Sequence, residues 1–280
     1  MVNYTIGDAL KKGIALLKEF NIPGAATDAA VLLGNVLGCT RLHLTVHRDD
    51  ALPCEKAKQY FEMISRRCKN EPVSYITGTK EFMSLEFEVS PDVLIPRPDT
   101  EILVETVISA LEDVVSPKII DMCTGSGAIG VSLAKYIQDS FVTALDISLP
   151  ALDIARKNAE KNGVKVNFEL HDVHLPYIFS ADAIVSNPPY ICAGELDGLQ
   201  RDVADFEPRI ALDGGEDGLI FYRDITKNAP SALKKGGILA FEVGMGQAED
   251  VAEIMSPMFD NITLVKDLAG IDRVVWGRIV

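Results

Sequence analysis

The stretch Lys118 to Tyr136, KIIDMCTGSGAIGVSLAKY, constrains the fold most: an apolar strand runs directly into spaced glycines and then into a helical pattern. Gly125, Gly127 and Gly130 form a GxGxxG that leaves the strand and opens the helix, so the backbone can turn sharply and a ligand can approach where a Cβ would clash. The same alternation continues downstream. Strands are expected at Lys118–Met122, Phe141–Asp146, Val164–Leu170, Ala183–Ser186, Gly237–Val243, Ile262–Lys266 and Arg273–Ile279. Helices are expected near Ala128–Gln138, Leu149–Asn162, Leu219–Leu233 and Gln247–Met258. This pattern predicts an α/β fold with a doubly wound, mostly parallel seven-stranded sheet. The last two segments are joined only by the Leu268-Ala269-Gly270 turn, too short for a parallel crossover, so an antiparallel hairpin should end the sheet.

Upstream the pattern is different. Ile6, Leu10, Ile14, Leu17 and Phe20 recur at helical steps, followed by Ala29 to Leu37 and Ala57 to Ile64. Thr27 or Asp28 can cap the second helix, and Gly38 can stop it. Residues 1–70 are therefore expected to form a small N-terminal helical bundle, either a substrate-docking domain or a stability cap. In residues 71–98, Leu85, Phe87 and Val89 alternate with Glu86 and Glu88 as in a half-exposed strand, which predicts a β-hairpin linker. Residues 99–280 form the third segment, with Asp99 or Thr100 placed to cap its first helix.

Charge divides along the same lines. The net charge is −14; residues 1–70 carry ten Lys/Arg against seven Asp/Glu, and the rest carries seventeen against thirty-four. An acidic body disfavours sequence-independent binding to nucleic-acid backbones, which depends on clustered Lys and Arg. No apolar run approaches the length of a membrane span, and the first twenty residues lack a signal-peptide core, so no membrane partner and a cytoplasmic location are expected. The five cysteines are odd in number, with no CxxC pair, and the two short His pairs lack neighbouring Cys ligands, so neither a disulfide framework nor a metal site is expected.

Asp146 ends the strand after the glycine loop, where a carboxylate can accept hydrogen bonds from both ribose hydroxyls of an adenosine group. Up to this point NAD and S-adenosylmethionine fit equally. Asp121 helps to separate them, because a carboxylate just ahead of the glycine loop suits a ligand with an ammonium group and would repel a pyrophosphate. Asp121 can instead be a strand-end carboxylate bonded to the loop. Asp172, after the third strand in FELHD, is placed to accept from an adenine amino group while Val173 packs on the ring; the plainer alternative is an acidic turn residue.

NPPY, Asn187 to Tyr190, follows the apolar strand AIVS and so falls at the carboxyl edge of the sheet. An amide or aromatic amine nitrogen is a poor nucleophile, because its lone pair is delocalised. Two acceptors, the Asn187 side-chain oxygen and the Pro188 carbonyl, can hold its two N–H groups, and both strengthen as the nitrogen becomes positive in the transition state. Pro188 and Pro189 preset the backbone, and Tyr190 can stack on the planar group and favour the developing charge. The expected chemistry is methyl transfer from S-adenosylmethionine, leaving S-adenosylhomocysteine, by direct displacement.

With both motifs at this spacing, the chain resembles the class I methyltransferases that modify exocyclic or amide nitrogens, a Rossmann-like fold. More narrowly it is similar to the HemK/PrmC family of peptide chain release factor glutamine methyltransferases. That resemblance rests on EPVSYITGTKEF (Glu71 to Phe82), IPRPDTEILVE (Ile95 to Glu105), SNPPYI (Ser186 to Ile191), FEPRIALDGGEDGL (Phe206 to Leu219) and DLAGIDRVV (Asp267 to Val275), and on TDAAVLLGNVLG (Thr27 to Gly38) in the helical start. It implies methylation of the side-chain amide of the glutamine in a release factor's GGQ motif. It also implies that Cys123, Thr124, Gly125, Ser126 and Gly127 line the methionine part of the cofactor, that Asp146 holds the ribose, and that Asp172 and Val173 flank the adenine. Asn187 would lie between cofactor and substrate, with Pro188, Pro189 and Tyr190 completing the glutamine pocket. Cys123 stands where many relatives have Gly, and Val173 where many have an aromatic residue. Arg97 and Phe206 to Arg209 are expected to border the substrate entrance, or else to pack as ion-paired loops.

Two other functions fit parts of the sequence. An amino-methyltransferase acting on a flipped adenine or cytosine would use the same NPPY chemistry but calls for a basic track beside the site. A catalytically silent cofactor-binding interaction module would tolerate a broken acceptor pair, yet Asn187 and Pro188 are intact.

Overall fold

The computed structural model describes residues 4–280, in two compact units. The first comprises residues up to Gly78 together with Gln200–Phe206, so it extends beyond the boundary at residue 70 that helical periodicity suggested. It contains β1 (Tyr4–Thr5), α1 (Ile6–Glu19), α2 (Ala25–Leu37), α3 (Arg41–Val46), β2 (Ala51–Leu52), α4 (Cys54–Arg67) and α5 (Val73–Thr77). Thr5 caps α1 by accepting from Asp8 N at 3.1 Å. The α2 start differs from expectation: it begins at Ala25 after Gly24 in the left-handed region, with no side-chain cap. Asp28 instead accepts from Arg67 Nε at 2.7 Å, tying α2 to the end of α4. Gly38, with φ 66°, ends α2 as expected. Leu17, Leu32, Leu33, Leu44 and Ile64 pack around the buried Tyr60 ring in the core of this unit.

The second unit opens with the hairpin β3 (Thr79–Phe82) and β4 (Leu85–Glu88), whose Phe82 and Phe87 are buried. It continues through α6 (Thr100–Ala110), β5 (Lys118–Met122), α7 (Ala128–Tyr136), β6 (Phe141–Asp146), α8 (Leu149–Asn162), β7 (Val166–Leu170) and β8 (Ala181–Ser186). After the short helix α9 (Arg201–Ala204), which belongs to the first unit, come α10 (Ile220–Asn228), β9 (Leu233–Glu242), α11 (Ala248–Met255), β10 (Phe259–Lys266) and β11 (Asp272–Ile279). Neither Asp99 nor Thr100 caps α6 with its side chain; Asp99 pairs with Arg273 at 3.0 Å.

Seven strands form one sheet in the order β10-β11-β9-β8-β5-β6-β7. β5 to β9 run parallel, and β11 joins antiparallel between β9 and β10. Successive residues of β5 face opposite layers: Ile120 and Met122 join the cluster beneath α10 and α11, while Ile119 joins that formed with α6, α7 and the hairpin. The chain leaves β5 in one direction for β6 and β7 and returns on its other side as β8. The carboxyl ends of β5 and β8 therefore lie at a switch point, where open α/β sheets bind ligands.

Candidate active site

The glycine loop is built on Asp121. This carboxylate is wholly buried, and its Oδ2 accepts from Thr124 Oγ1 at 2.5 Å and from Gly130 N at 2.9 Å. A Cβ on Gly130 would lie 2.9 Å from that oxygen, so only glycine lets the first turn of α7 close on it. Oδ1 has no partner, and burial pushes the carboxyl up to about 7 against the opposing effect of the two hydrogen bonds. Thr124 N donates to Leu145 O at 3.0 Å and Gly125 N to Asp146 Oδ2 at 2.8 Å, so β6 fixes the loop. Cys123, where the chain leaves β5, has φ 58°, a left-handed conformation that suits glycine.

Above this loop lies a cavity of about 250 Å³. Cys123, Thr124, Gly125, Ser126, Asp146, Asp172, Val173, Asn187 and Pro189 all line it, so most residues singled out in the sequence converge on one wall. Asp121, Gly127, Pro188 and Tyr190 are not among its lining residues. Gly127, with φ 81°, starts α7, where a Cβ would meet that of Ala155 at 3.0 Å. Asp146 receives one backbone N–H on each oxygen, from Gly125 at 2.8 Å and from Ser148 at 2.9 Å. A carboxylate has about four acceptor sites, so each oxygen can still take a ligand hydroxyl. Burial holds this carboxyl above its ordinary range despite those bonds.

Val173 has aromatic neighbours that motif reading missed. His171, His174 and Phe221 line the same cavity; the His174 ring lies 5.1 Å from that of Phe221, and His174 Nδ1 is 2.5 Å from Asp224 Oδ2. His171 sits edge-on to Tyr177, and its buried Nε2 has no partner.

The NPPY loop leaves β8 under tight control. Ser186 Oγ donates to Met122 O at 2.8 Å, tying the end of β8 to that of β5. Asn187 lines the cavity, and its Nδ2 donates to Thr100 Oγ1 at 3.3 Å. Gln247 Nε2 donates to Tyr190 O at 3.0 Å, and Gly214 N to Ile191 O at 2.8 Å. A Cβ on Gly214 would stand 2.7 Å from Tyr190 Cα, and one on Gly244 2.9 Å from the Tyr190 ring. The glycines of DGGEDGL and of the segment after β9 thus make room for NPPY. Burial, and then the Glu242 charge, push the Tyr190 phenol up to about 12, so it stays protonated.

Arg97 lines the cavity, and its Nη2 lies 2.7 and 2.8 Å from the two oxygens of the buried Glu207. Arg209 is exposed and pairs with Asp213 at 3.8 Å, while Ile210 and Ala211 reach the cavity wall. The PRPDTE and FEPR segments therefore meet beside the site through an ion pair. Asn187 shares this cavity with Asp92, Asp146 and Asp172, so an amide lies in the same cavity as carboxylates that suit a cationic ligand.

Family models match in two places: a PrmC N-terminal domain over residues 8–78 and a methyltransferase small domain over residues 98–201. The chain is 44% identical over 276 residues to a release factor glutamine methyltransferase of Clostridium acetobutylicum, covering 96% of this chain and 97% of that one. It is 41% identical over 278 residues to the protein of that name in Geobacter sulfurreducens, covering 99% and 97%. Among solved structures, a 16S rRNA N2 G1207 methyltransferase of T. thermophilus, in complex with AdoMet and guanosine, aligns with TM-score 0.52 at 20% identity, covering 72% of this chain and 50% of that one. A methyltransferase of Pyrococcus furiosus aligns with TM-score 0.50 at 16% identity, covering 71% and 91%. These two likenesses establish the fold of the second unit.

Proposed function

We propose, from the premise that this chain belongs to the release factor glutamine methyltransferase family, that it methylates the side-chain amide nitrogen of the glutamine in a release factor's GGQ motif, in the cytoplasm. The observation that carries this reading is the Asn187 amide: its nitrogen is committed to Thr100, so its oxygen is available as an acceptor at the cavity wall. S-adenosylmethionine, when bound, supplies a methyl carbon on a sulfonium centre that leaves as the neutral thioether S-adenosylhomocysteine.

The residues present fit that group. Asp146 keeps an acceptor site on each oxygen for the ribose hydroxyls, and Asp172 lies on the same wall to receive an adenine amino group. His174 and Phe221 offer the aromatic surface that Val173 lacks. Asp121 works from behind, shaping the loop of Cys123, Thr124, Gly125, Ser126 and Gly127 and adding negative potential toward a cation when ionised.

Asn187 Oδ1 and the Pro188 carbonyl each accept one N–H of the substrate amide, which turns the nitrogen lone pair toward the methyl carbon. As the N–C bond forms, the nitrogen gains positive charge and both hydrogen bonds strengthen, so they stabilise the transition state more than the ground state. Tyr190 packs on the planar amide. Once the N–C bond has formed and the C–S bond has broken, the nitrogen releases one proton to water. The helical unit supplies the docking surface for the rest of the release factor.

The test is transfer of labelled methyl from S-adenosylmethionine to a release factor, to the same factor with GGQ changed to GGA, and to single-stranded DNA. Label is expected in the first alone. Label in DNA, or undiminished label in the GGA factor, would refute the reading.

A further inference from the structure

Glu242 ends β9 beneath the NPPY loop, 3% exposed, and its Oε2 has no hydrogen-bond partner. Burying a carboxylate without pairing it is costly, so its presence calls for a compensating role. Two cations stand near it, but each is engaged elsewhere: Arg97 by Glu207 at 2.7 Å, and Arg273 by Asp99 and Asp267, both at 3.0 Å. Thr100, itself 4% exposed, is the hydroxyl that favours the ionised form of this carboxylate, and the Thr100 oxygen receives Asn187 Nδ2 at 3.3 Å.

We propose that Glu242 is a positioning residue: acting through Thr100, it fixes which end of the Asn187 amide faces the substrate nitrogen. The inference rests on the acceptor role given to Asn187 above. An asparagine amide has nearly the same shape when flipped, but a flipped Asn187 would present N–H groups to the N–H groups of the substrate. Thr100 cannot choose between the two orientations, because a hydroxyl both donates and accepts. A carboxylate only accepts. With Glu242 ionised, the Thr100 hydrogen must point to Glu242, its oxygen must accept, and Asn187 must offer Nδ2. Protonated Glu242 can donate to Thr100 instead, leaving the Thr100 hydrogen free to bind a flipped Asn187 Oδ1.

The chain therefore carries a protonation-dependent lock. The groups facing Glu242 are Asp99 and Thr100 at the start of α6, Arg97 just before it, Arg273 on β11, the Tyr190 phenol and the Tyr222 phenol. Burial, the largest influence, pushes the Glu242 carboxyl up to about 7; Asp99 adds to this, while Thr100, Arg273 and Arg97 oppose it. The lock closes as pH rises through that value.

Steady-state methyl transfer to a release factor, calorimetric binding of S-adenosylhomocysteine and the 15N side-chain amide resonance of Asn187 test this together. Glu242→Gln is expected to lower kcat by about tenfold to a hundredfold, the range of a misplaced transition-state acceptor. The KM for the methyl donor and the Kd for S-adenosylhomocysteine should stay within about twofold, since the cofactor wall is untouched. In the wild type, kcat at saturating substrates should rise with pH through about 7, and the Asn187 amide signals should titrate with the same midpoint; both dependences should vanish in Glu242→Gln. Thr100→Val should reproduce the loss and Thr100→Ser should recover most of it, a comparison that decides the matter if Glu242→Gln fails to fold. An unchanged kcat in Glu242→Gln, a wild-type Asn187 signal that does not titrate, or equal impairment in both Thr100 variants would overturn the proposal. A wild-type protein that leaves release factors unmethylated would sink the functional reading instead, while the Asn187 titration would still decide whether the lock exists.

Discussion

Asn158 holds both backbone groups of Glu88: its Oδ1 accepts from Glu88 N at 2.6 Å, and its Nδ2 donates to Glu88 O at 3.0 Å. The same Nδ2 also donates to Ser126 O at 2.8 Å. One fully buried side chain on α8 thus joins the end of the β3–β4 hairpin to the glycine loop. Asn158→Ala removes three hydrogen bonds and strands buried backbone groups, so it should destabilise the protein by about 3 kcal/mol. Denaturant unfolding would check this, and a loss under about 1 kcal/mol would show that water replaces the missing partners.

Much of this was legible in the sequence. Lys118–Met122, Phe141–Asp146 and Leu149–Asn162 match the expected elements end to end, because each is an apolar or amphipathic block bounded by a turn signal. Other boundaries moved. β9 begins at Leu233, since its polar opening, Lys234 to Gly236, carries no apolar pattern. The Leu219–Leu233 helix stops as α10 at Asn228, just ahead of Pro230. α5 was invisible because five residues are too few to show a helical period. In the site, the residues within the two motifs were legible, whereas those that orient them were not. Thr100 lies 87 positions from Asn187, and Gln247 lies 57 from Tyr190. No local pattern announces such pairs. Val173 stands where many relatives have an aromatic residue, and only the fold brings Phe221 of α10 to the same cavity.

The Cys123 departure has a physical consequence. At φ 58° a side chain with a Cβ costs about 1–2 kcal/mol that glycine avoids. Glycine's greater freedom in the unfolded chain returns about 0.4–1 kcal/mol of this. Cys123→Gly should therefore stabilise the protein by about 0.5–1 kcal/mol, seen as a higher denaturant midpoint at an unchanged slope. A lower midpoint would mean that thiol packing outweighs the backbone term.

Asn187 and Asp146 should separate chemistry from cofactor binding. Asp146→Ala removes both remaining acceptor sites, and hydrogen bonds to a charged group contribute about 1.5–3 kcal/mol each, so affinity for S-adenosylhomocysteine should fall by at least about a hundredfold. Asn187→Ala should lower kcat by about a hundredfold to a thousandfold and change that affinity by less than about fivefold. Calorimetry beside single-turnover methylation distinguishes the two. Equal losses of affinity in both variants would place Asn187 in the cofactor site rather than on the acceptor amide.

Asp121 and Glu242 should give the folded protein an unusual pH dependence. Burial raises each carboxyl to about 7 in the native state, whereas carboxyls in an unfolded chain titrate near about 4. Below about pH 4 both states are protonated and the full stabilisation is present. Between about 4 and 7 the native state holds protons that the unfolded state has released, so stability falls as pH rises and levels off above the native value. Because a tenfold change in a protonation equilibrium is about 1.4 kcal/mol, the combined decline should exceed that amount. Asp121→Asn and Glu242→Gln should each flatten the curve. Their effects on function should differ: Asp121 lies behind the cofactor loop, so its ionisation should appear in the KM for S-adenosylmethionine, and that of Glu242 in kcat. Denaturant unfolding from pH 5 to 8 at constant ionic strength measures the first effect. A wild-type stability that rises across that range would mean that one or both carboxylates remain ionised in the fold.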